Sequence, residues 1–582
     1  MKHKFFLIAL ACTFFSYLQA QIQWRNPQKE KTTVVQNQGW TEERNYARLP
    51  LRIKDKLCSS AWNSSRFSTG LAVHFYTNAK DIRVRYQLCR ANQVAHQLTS
   101  SAQHVDLYRV SEEGKTSHCL GHHTVGDTIL YTFHSTSKPK YHRLGYEYRL
   151  FLPQNSEVEW MEIGVDTEDS FSFVPLSPEK PIVIYGTSTN QGACASNKGI
   201  EWANILQRTF DSPVLNFCFF CNDNLDKTLL DLITEKAARL YILDYKANKT
   251  IEKEDEIYQR VMDAVQCIRQ KSNAPILILE QTIHANAQTD TSLLHLYEKA
   301  NKATFSAFKQ LTEEKVKGLF YKKREELVHH SNAFVEKTRP TDLEMTMKAK
   351  AVEEVVREIL SMPVGKLPTQ QPIPQRREPK NYEWLKRHYA IVERNQREKP
   401  RALVIGNSIT HYWGGAPFDS KACGRGADSW EKYMQADGFV NMGCGWDRIE
   451  NVLWRVYHGE LDGFNAEEIV LLLGTNNKDL NTKGEIVEGL RFLIQQIKKR
   501  QPQAKIRVLG ILPRRNGEAW CKQINQDIAQ MAKESAVHYQ DLSRVFLLPN
   551  GKVDEKLYVR DGLHPNAKAY MLMALELQKG LF

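Results

Sequence analysis

Two short stretches of this chain carry residue types that could together do acyl chemistry. Leu403-Val-Ile-Gly-Asn-Ser-Ile-Thr410 is an apolar run that breaks at Gly406-Asn407-Ser408. It reads as a buried strand ending in a sharp turn, which lifts the Ser408 hydroxyl out at the carboxyl edge of a sheet. That edge is where open α/β sheets place ligands. Far along the chain, Asp561-Gly-Leu-His564 sets a carboxylate three residues before an imidazole. Such a carboxylate can orient a histidine that takes a proton from serine. Either motif alone is ordinary loop chemistry.

Two further stretches make the pair informative. Asn441-Met-Gly-Cys-Gly-Trp-Asp447 follows a short apolar segment, and Gly474-Thr-Asn-Asn477 follows the strand-like Ile469-Val-Leu-Leu-Leu473. Both end on the edge that carries Ser408, where a backbone N–H and an Asn amide can aim at a developing oxyanion. With Val440 to Arg455 and Val508-Leu-Gly-Ile-Leu-Pro513, these blocks resemble the SGNH (GDSL-type) hydrolases, particularly their platelet-activating-factor acetylhydrolase-like branch, over about residues 400 to 582. The resemblance implies Ser408 as nucleophile, His564 as general base and acid, and Asp561 as the residue that orients the imidazole. It implies an oxyanion hole of the Ser408 N–H, a block-two N–H from Gly445 or Trp446, and the Asn476 amide. The family usually has Gly directly before the block-two Asp, where this chain has Trp446, a side chain that would narrow the acyl pocket.

Those blocks need elements to position them, and 582 residues are too many for one core. Residues 1–20 read as a signal peptide: basic Met1-Lys-His-Lys4, a mostly apolar Phe5–Leu18, and Gln19-Ala20 before Gln21. Export to the periplasm or the medium is therefore expected, and lipid anchoring through Cys12 is the lesser alternative. No stretch reaches the ~18 uninterrupted apolar residues of a membrane-spanning helix. Residues 21–178 hold short alternating segments such as Leu71–Tyr76, Ile82–Gln87, His104–Tyr108 and Tyr146–Phe151, which predict a β-sandwich with aromatics that could grip sugar rings. Residues 179–362 predict an α/β unit with a parallel, flavodoxin-like sheet, and residues 399–582 a second.

The first of these units resembles an SGNH domain following an N-terminal sandwich in bacterial dual-domain esterases. Ser188 matches the nucleophile, Asn248 the block-three amide and Cys221 the block-two Gly, but Arg339 stands where the histidine belongs. A guanidinium cannot accept a proton near neutral pH, so triad catalysis is expected to be lost there unless His329 or His330 substitutes. Residues 363–398 read as a spacer with Pro363, Pro368, Pro372, Pro374 and Pro379, followed by a helix with apolar Trp384, Leu385, Tyr389 and Val392. Lys483 to Arg500 predicts a helix with one apolar face. Tyr412 to Phe418, with Cys423 and Trp430, predicts an aromatic wall or a self-packed loop.

Ten cysteines beyond Cys12 are too sparse for a disulfide framework. Cys218-Phe-Phe-Cys221 has no partner pair and reads as buried small residues, so no metal site and no organic cofactor are expected. The net charge of +12 is spread along the chain, which gives no reason to expect a nucleic-acid partner. The expectation is an exported serine acetylesterase acting on an acetylated carbohydrate or another small acyl ester. The alternatives are a lipase or phospholipid acetylhydrolase, and a glycan-binding protein without activity.

Overall fold

The computed structural model describes residues 21–91, 103–124, 126–135, 142–187, 191, 195–219, 227–244, 253–282, 291–327, 334–335, 339–377 and 382–580. Two compact units emerge. One consists of residues 1–109, 116–139 and 144–356, the other of residues 110–115, 140–143 and 357–582.

The first unit holds the sandwich and the first α/β sheet. The sandwich is two antiparallel sheets. One orders strands Ile22–Arg25, Ser156–Asp166, Asp81–Ala91, Ile129–His134 and Gly121–Thr124. The other runs through Phe171–Phe173, Ala72–Thr77, Tyr146–Phe151, Asp106–Val110 and Thr116–Cys119. Alternation along these strands points Val73, Phe75, Val84, Tyr86, Leu107 and Ile163 into a shared core. Among the described residues, the large apolar side chains that this region exposes are Leu51 and Leu120; the aromatics expected to grip sugars are not among them.

The first α/β sheet is parallel, with Val214–Phe219, Ile182–Thr187, Leu240–Asp244, Ile276–Leu279 and Leu319–Lys322 side by side in that order. Buried Arg48 ties the N-terminal region to it, donating to Asn216 O at 3.1 Å and Cys218 O at 2.7 Å. Cys218 is buried, and the eight described cysteines past residue 20 are all free thiols. Ser188, Cys221, Asn248, His329, His330 and the 1–20 segment lie outside the described residues. Arg339 is described only as backbone, in the two-residue strand Arg339–Pro340.

The second unit repeats the sheet order. Its strands are β1 (Ala402–Gly406), β2 (Phe439–Gly443), β3 (Glu468–Leu472), β4 (Lys505–Leu509) and β5 (His538–Gln540), all parallel and arranged β2-β1-β3-β4-β5. The connecting helices are α1 (Trp384–Glu398), α2 (Ser408–His411), α3 (Ile449–Tyr457), α4 (Lys483–Arg500), α5 (Glu518–Glu534) and α6 (Ala567–Gln578). The central strands are apolar on both faces, as a sheet covered on both sides must be. Val404, Val470 and Leu472 pack with Trp413, Trp430, Tyr570 and Met573 on one face, and Leu403, Ile405, Ile469 and Leu471 are buried on the other. α4 has the expected bounds. Thr482 and Glu485 close its first turn reciprocally, and Ile486, Leu490, Leu493, Ile494 and Ile497 are buried.

Residues 363–377 are not the spacer that their prolines suggest. Thr369 and Gln375 are wholly buried, and Arg376 and Arg377 nearly so. Apart from the single 3-10 turn Pro368–Gln370 the segment lies outside helix and sheet, but it still presents side chains and carbonyls: Thr369 Oγ1 donates to Glu485 O at 2.7 Å, and Asn451 Nδ2 donates to Ile373 O at 2.8 Å. Helix α1 packs as expected but through a different stripe. Trp384, Arg387, His388, Ile391, Arg394 and Asn395 are buried, while Leu385, Tyr389 and Val392 are half-buried. The polar members of that stripe are hydrogen-bonded, a compensation that apolar spacing does not reveal.

The turn that follows β1 fits only because two neighbours lack side chains. A Cβ on Gly406 would stand 2.1 Å from Thr410 Oγ1, and one on Gly443 would stand 2.3 Å from the His411 backbone nitrogen. The second contact is with main chain, which cannot rotate away. Gly443→Ala should therefore destabilise the domain by about 2–3 kcal/mol and reduce any activity in parallel, read as a lower thermal-unfolding midpoint. An unchanged midpoint would mean that the turn is not so tightly seated.

Candidate active site

Strand order places the site. Where β2 and β3 flank β1, their connections leave to opposite sides and a crevice opens at the carboxyl edge. Three segments leave the sheet there: Asn407–His411 after β1, Cys444–Asp447 after β2, and Leu473–Asn477 after β3. Asn407 Oδ1 accepts the Ile409 N–H at 3.0 Å, which starts the short helix α2 at Ser408 and satisfies one of its open donors.

Ser408 and His564 meet across 156 residues of sequence. His564 Nε2 lies 2.8 Å from Ser408 Oγ, and His564 Nδ1 lies 2.7 Å from Asp561 Oδ2. The other Asp561 oxygen accepts the backbone N–H groups of Leu563 at 2.8 Å and His564 at 2.9 Å. This bends the 561–564 segment into a fixed turn and orients the carboxylate toward the ring. Asp561 Oδ2 requires Nδ1 to carry the hydrogen, which leaves Nε2 free to accept one from serine.

The electrostatics suit a neutral base. Burial lowers the His564 pKa below its ordinary value; Asp561 opposes that by favouring the cation, and the Arg425 and Arg514 charges add to the lowering. Burial alone would raise Asp561, but the His564 N–H, its imidazole and the Leu563 N–H outweigh it and hold the carboxyl below its usual range. Both groups are thus in their working protonation states at neutral pH.

Block two is fixed by its surroundings. The Gly445 carbonyl accepts from Tyr382 Oη at 2.6 Å and Gln375 Nε2 at 2.7 Å, and the Trp446 carbonyl accepts from Arg377 Nη2 at 2.9 Å. All three donors come from the packed 363–398 segment. Trp446 has φ +66°, a left-handed backbone that costs a bulky residue of the order of 1–3 kcal/mol. That conformation explains why glycine is usual at this place. Of the two block-two candidates for the oxyanion hole, the Gly445 N–H is committed elsewhere, since it donates to His411 Nδ1 at 3.1 Å. The Gly445 N–H is therefore not the free donor of this loop. Asn476 donates one amide hydrogen to Asp447 O at 2.9 Å, so block three is held to block two. Its second amide hydrogen has no partner among the described residues.

Sequence reasoning missed His411, three residues after Ser408. It is wholly buried, with Nε2 2.9 Å from Asp419 Oδ1 and Nδ1 facing Gly445. Burial and the nearby Arg387 push its pKa down to about 4 despite Asp419, which keeps the ring neutral and able to accept the Gly445 hydrogen. His411, Asp419 and Cys423 present donor atoms within 4.8 Å of one another. Arg387 Nη1 sits 3.2 Å from Asp419 Oδ2, so the cluster is organised as an ion-paired hydrogen-bond network. The aromatic segment is largely core: Tyr412, Trp413 and Trp430 are buried, Phe418 is exposed, and the Tyr412 ring lies 5.4 Å from that of His564. The first site's candidates, Ser188, Cys221 and Asn248, cannot be placed among the described residues.

A base that must be unprotonated, with its pKa below the ordinary 6.5, gives a defined pH profile. Turnover of an ester should be flat near pH 7 and fall as pH drops through a midpoint below 6.5, measured as kcat/KM. Asp561→Asn should move that midpoint lower still and cut kcat by roughly 10³–10⁴-fold. A midpoint above 7 would contradict the assigned base.

Comparison with known proteins places this geometry in context. Residues 179–357 and 404–572 each match a model of the GDSL-like lipase/acylhydrolase family, and residues 22–171 match a model for the N-terminus of SGNH-hydrolase-type esterases. The chain is 32% identical over 152 residues to the platelet-activating factor acetylhydrolase IB subunit alpha2 of Homo sapiens, covering 26% of this chain and 61% of that relative. It is 25% identical over 191 residues to the human alpha1 subunit, covering 32% of this chain and 78% of that one. The chain thus spans less than two thirds of the alpha2 relative. A Bacteroides ovatus crystal structure described as a GDSL-like lipase shares the fold, with a TM-score of 0.53 and 24% identity over 59% of this chain and 98% of that one.

Proposed function

We propose, given that both α/β domains of this chain belong to the GDSL-like lipase/acylhydrolase family, that the C-terminal one is a serine esterase. It removes a small acyl group, acetyl above others, from a carbohydrate hydroxyl through an acyl-Ser408 intermediate. The observation that carries this is the unbroken contact from Asp561 through His564 to Ser408, at 2.7 and 2.8 Å.

The steps follow from the geometry. His564 Nε2 takes the proton as Ser408 Oγ attacks the ester carbonyl, and Asp561 stabilises the imidazolium that forms. The Asn476 amide, the Ser408 N–H and the Trp446 N–H receive the developing oxyanion. His564 returns its proton to the leaving alkoxide, and the acyl group stays on Ser408. A water deprotonated by the same imidazole then attacks the acyl-serine, releasing the acid and the free enzyme.

Acetyl is favoured by the similarity to proteins named acetylhydrolases. Carbohydrate is favoured only by the presence of a companion sandwich and by the export expected from the sequence of residues 1–20, since the sandwich does not expose, among its described residues, the aromatics expected to grip sugars. The first α/β domain has no triad of its own in this account, because Arg339 replaces the base and a guanidinium cannot accept the serine proton.

The full chain should hydrolyse 4-nitrophenyl acetate faster than the octanoate. Ser408→Ala should lower kcat by roughly 10⁴-fold or more, with the small remainder unaffected by adding Ser188→Ala. Preference for chains of eight carbons or longer would favour a lipase. Turnover that survives Ser408→Ala and vanishes with Ser188→Ala would move the activity to the first domain.

A further inference from the structure

The proposed esterase chemistry needs one imidazole, one carboxylate and donors to the oxyanion. It does not need two extra positive charges beside the imidazole, yet the site has them. Arg425 comes from the turn after the aromatic segment. Its backbone N–H donates to Tyr412 O at 2.9 Å, and its guanidinium carbon lies 4.5 Å from the centre of the Tyr412 ring, whose centre is in turn 5.4 Å from that of His564. Its Nη1 is buried and has no hydrogen-bond partner among the described residues. Arg514 comes from the loop after β4, with Nη1 3.5 Å from the carbonyl of Thr475, the residue before Asn476. The two cations therefore reach the site from opposite partners, one past Tyr412 and one past the block-three turn.

Several other cations of this domain are neutralised by carboxylates. Arg387 pairs with Asp419, Arg455 with Asp447 and Glu460, and Arg515 with Glu555. Among the described residues Arg425 and Arg514 make no ion pair. The charges that act most on His564 among the described residues are Asp561, on its own turn, and these two guanidinium groups, with the neutral Tyr412 ring 5.4 Å from the imidazole and Arg515 paired with Glu555. This arrangement works against the reaction in one respect. The imidazole must become a cation in the transition state, and uncompensated positive charge nearby opposes that. The opposition disappears if the substrate itself brings a negative charge to the pair. A guanidinium is also the side chain best suited to hold a carboxylate or another oxyanion, since its planar N–H fork matches their geometry.

We propose that Arg425 and Arg514 form an anion-recognition pair for the alcohol side of the ester, so that the substrate is an acylated acidic sugar or a similar alcohol carrying a carboxylate, sulfate or phosphate near the scissile bond. This rests on the esterase role of Ser408, His564 and Asp561. Both residues are specificity-determining: they draw the charged substrate in and remove the penalty that their own charge places on His564.

The test compares three probes on the full chain at low ionic strength: a methyl O-acetyl-glucuronide, the matching neutral methyl O-acetyl-glucoside, and its 6-sulfate. A charged ester should be preferred at least about 10-fold in kcat/KM, mainly through KM, and the preference should shrink as salt screens the charges. Preference for the glucuronide over the sulfate assigns a carboxylate, and the reverse assigns a tetrahedral anion. Arg425→Gln and Arg514→Gln should each bring the charged-to-neutral ratio toward one. Each should also move the acid limb measured with the neutral ester to higher pH, because removing a positive charge raises the imidazole pKa; a merely structural role would leave that limb in place. Arg425→Lys should restore part of the ratio. If Arg425→Gln does not fold, the salt dependence of the parent and the Arg514→Gln variant decide. Equal kcat/KM for charged and neutral esters in the parent, or a ratio unmoved in both Gln variants, overturns the proposal. No turnover of any of the three probes or of 4-nitrophenyl acetate would instead overturn the esterase role on which it rests.

Discussion

A single buried guanidinium holds the candidate site together. Arg455, wholly buried on α3, donates to Asp447 Oδ2 at 2.8 Å, to both Glu460 oxygens at 2.9 and 2.7 Å, and to Met442 O at 2.5 Å. Asp447 in turn takes the Trp384 indole N–H at 2.7 Å, and its carbonyl takes the Asn476 amide. The end of β2, the block-two loop, α1 and the block-three turn thus converge on one charge. Desolvating such a group is costly, and the cost is offset only where its hydrogen bonds are well made. The carboxylates share it unequally. Burial alone would raise Glu460, but Arg455 and His388 hold it down at about 2, whereas burial lifts Asp447 to about 6 despite Arg455. Removing Arg455 would leave two buried carboxylates without their cation, so the loop that presents Trp446 depends on a residue that touches no substrate.

The same dependence explains what could be read from the amino-acid sequence. The apolar runs of β1 and β3 and the stripe of α4 obey simple periods, because burial on a sheet or helix face demands them. The Gly-Asn-Ser turn and the Asn476 turn follow strands, so their meeting at one edge was legible from strand order, whereas the Asp-x-x-His turn was brought to them by the family resemblance. The contacts that tune the site were not. Arg387, His388, Arg394 and Asn395 lie on the buried side of α1 although apolar spacing pointed to Leu385 and Val392. Gln375 and Arg377 dock on block two from a stretch whose prolines spoke for a spacer. Polar side chains are buried when specific acceptors await them, and those acceptors are supplied by distant segments, so no local pattern announces them. The Gly445 N–H was ambiguous for that reason: only the position of His411 shows where its hydrogen goes.

The chain also contains the same parallel architecture twice. In both α/β sheets the first strand lies between the second and third, which opens a crevice at the same edge. A shared crevice does not bring shared chemistry. In the C-terminal domain the turn Asp561–His564 closes on Ser408, whereas the family resemblance aligns Arg339 with the histidine in the first domain. A guanidinium pKa lies too far from neutral for proton transfer at physiological pH. On the proposed reading, the first domain keeps the sheet and lacks the base that would activate a nucleophile.

The central claim is that Ser408 is the activated nucleophile of this chain. Covalent labelling tests it most directly: the full protein is treated with a fluorophosphonate and the modified peptides are mapped by mass spectrometry. The account predicts one dominant adduct, on Ser408, that disappears in His564→Ala while the protein remains folded. An adduct on Ser188, or labelling of Ser408 that persists without His564, would contradict it.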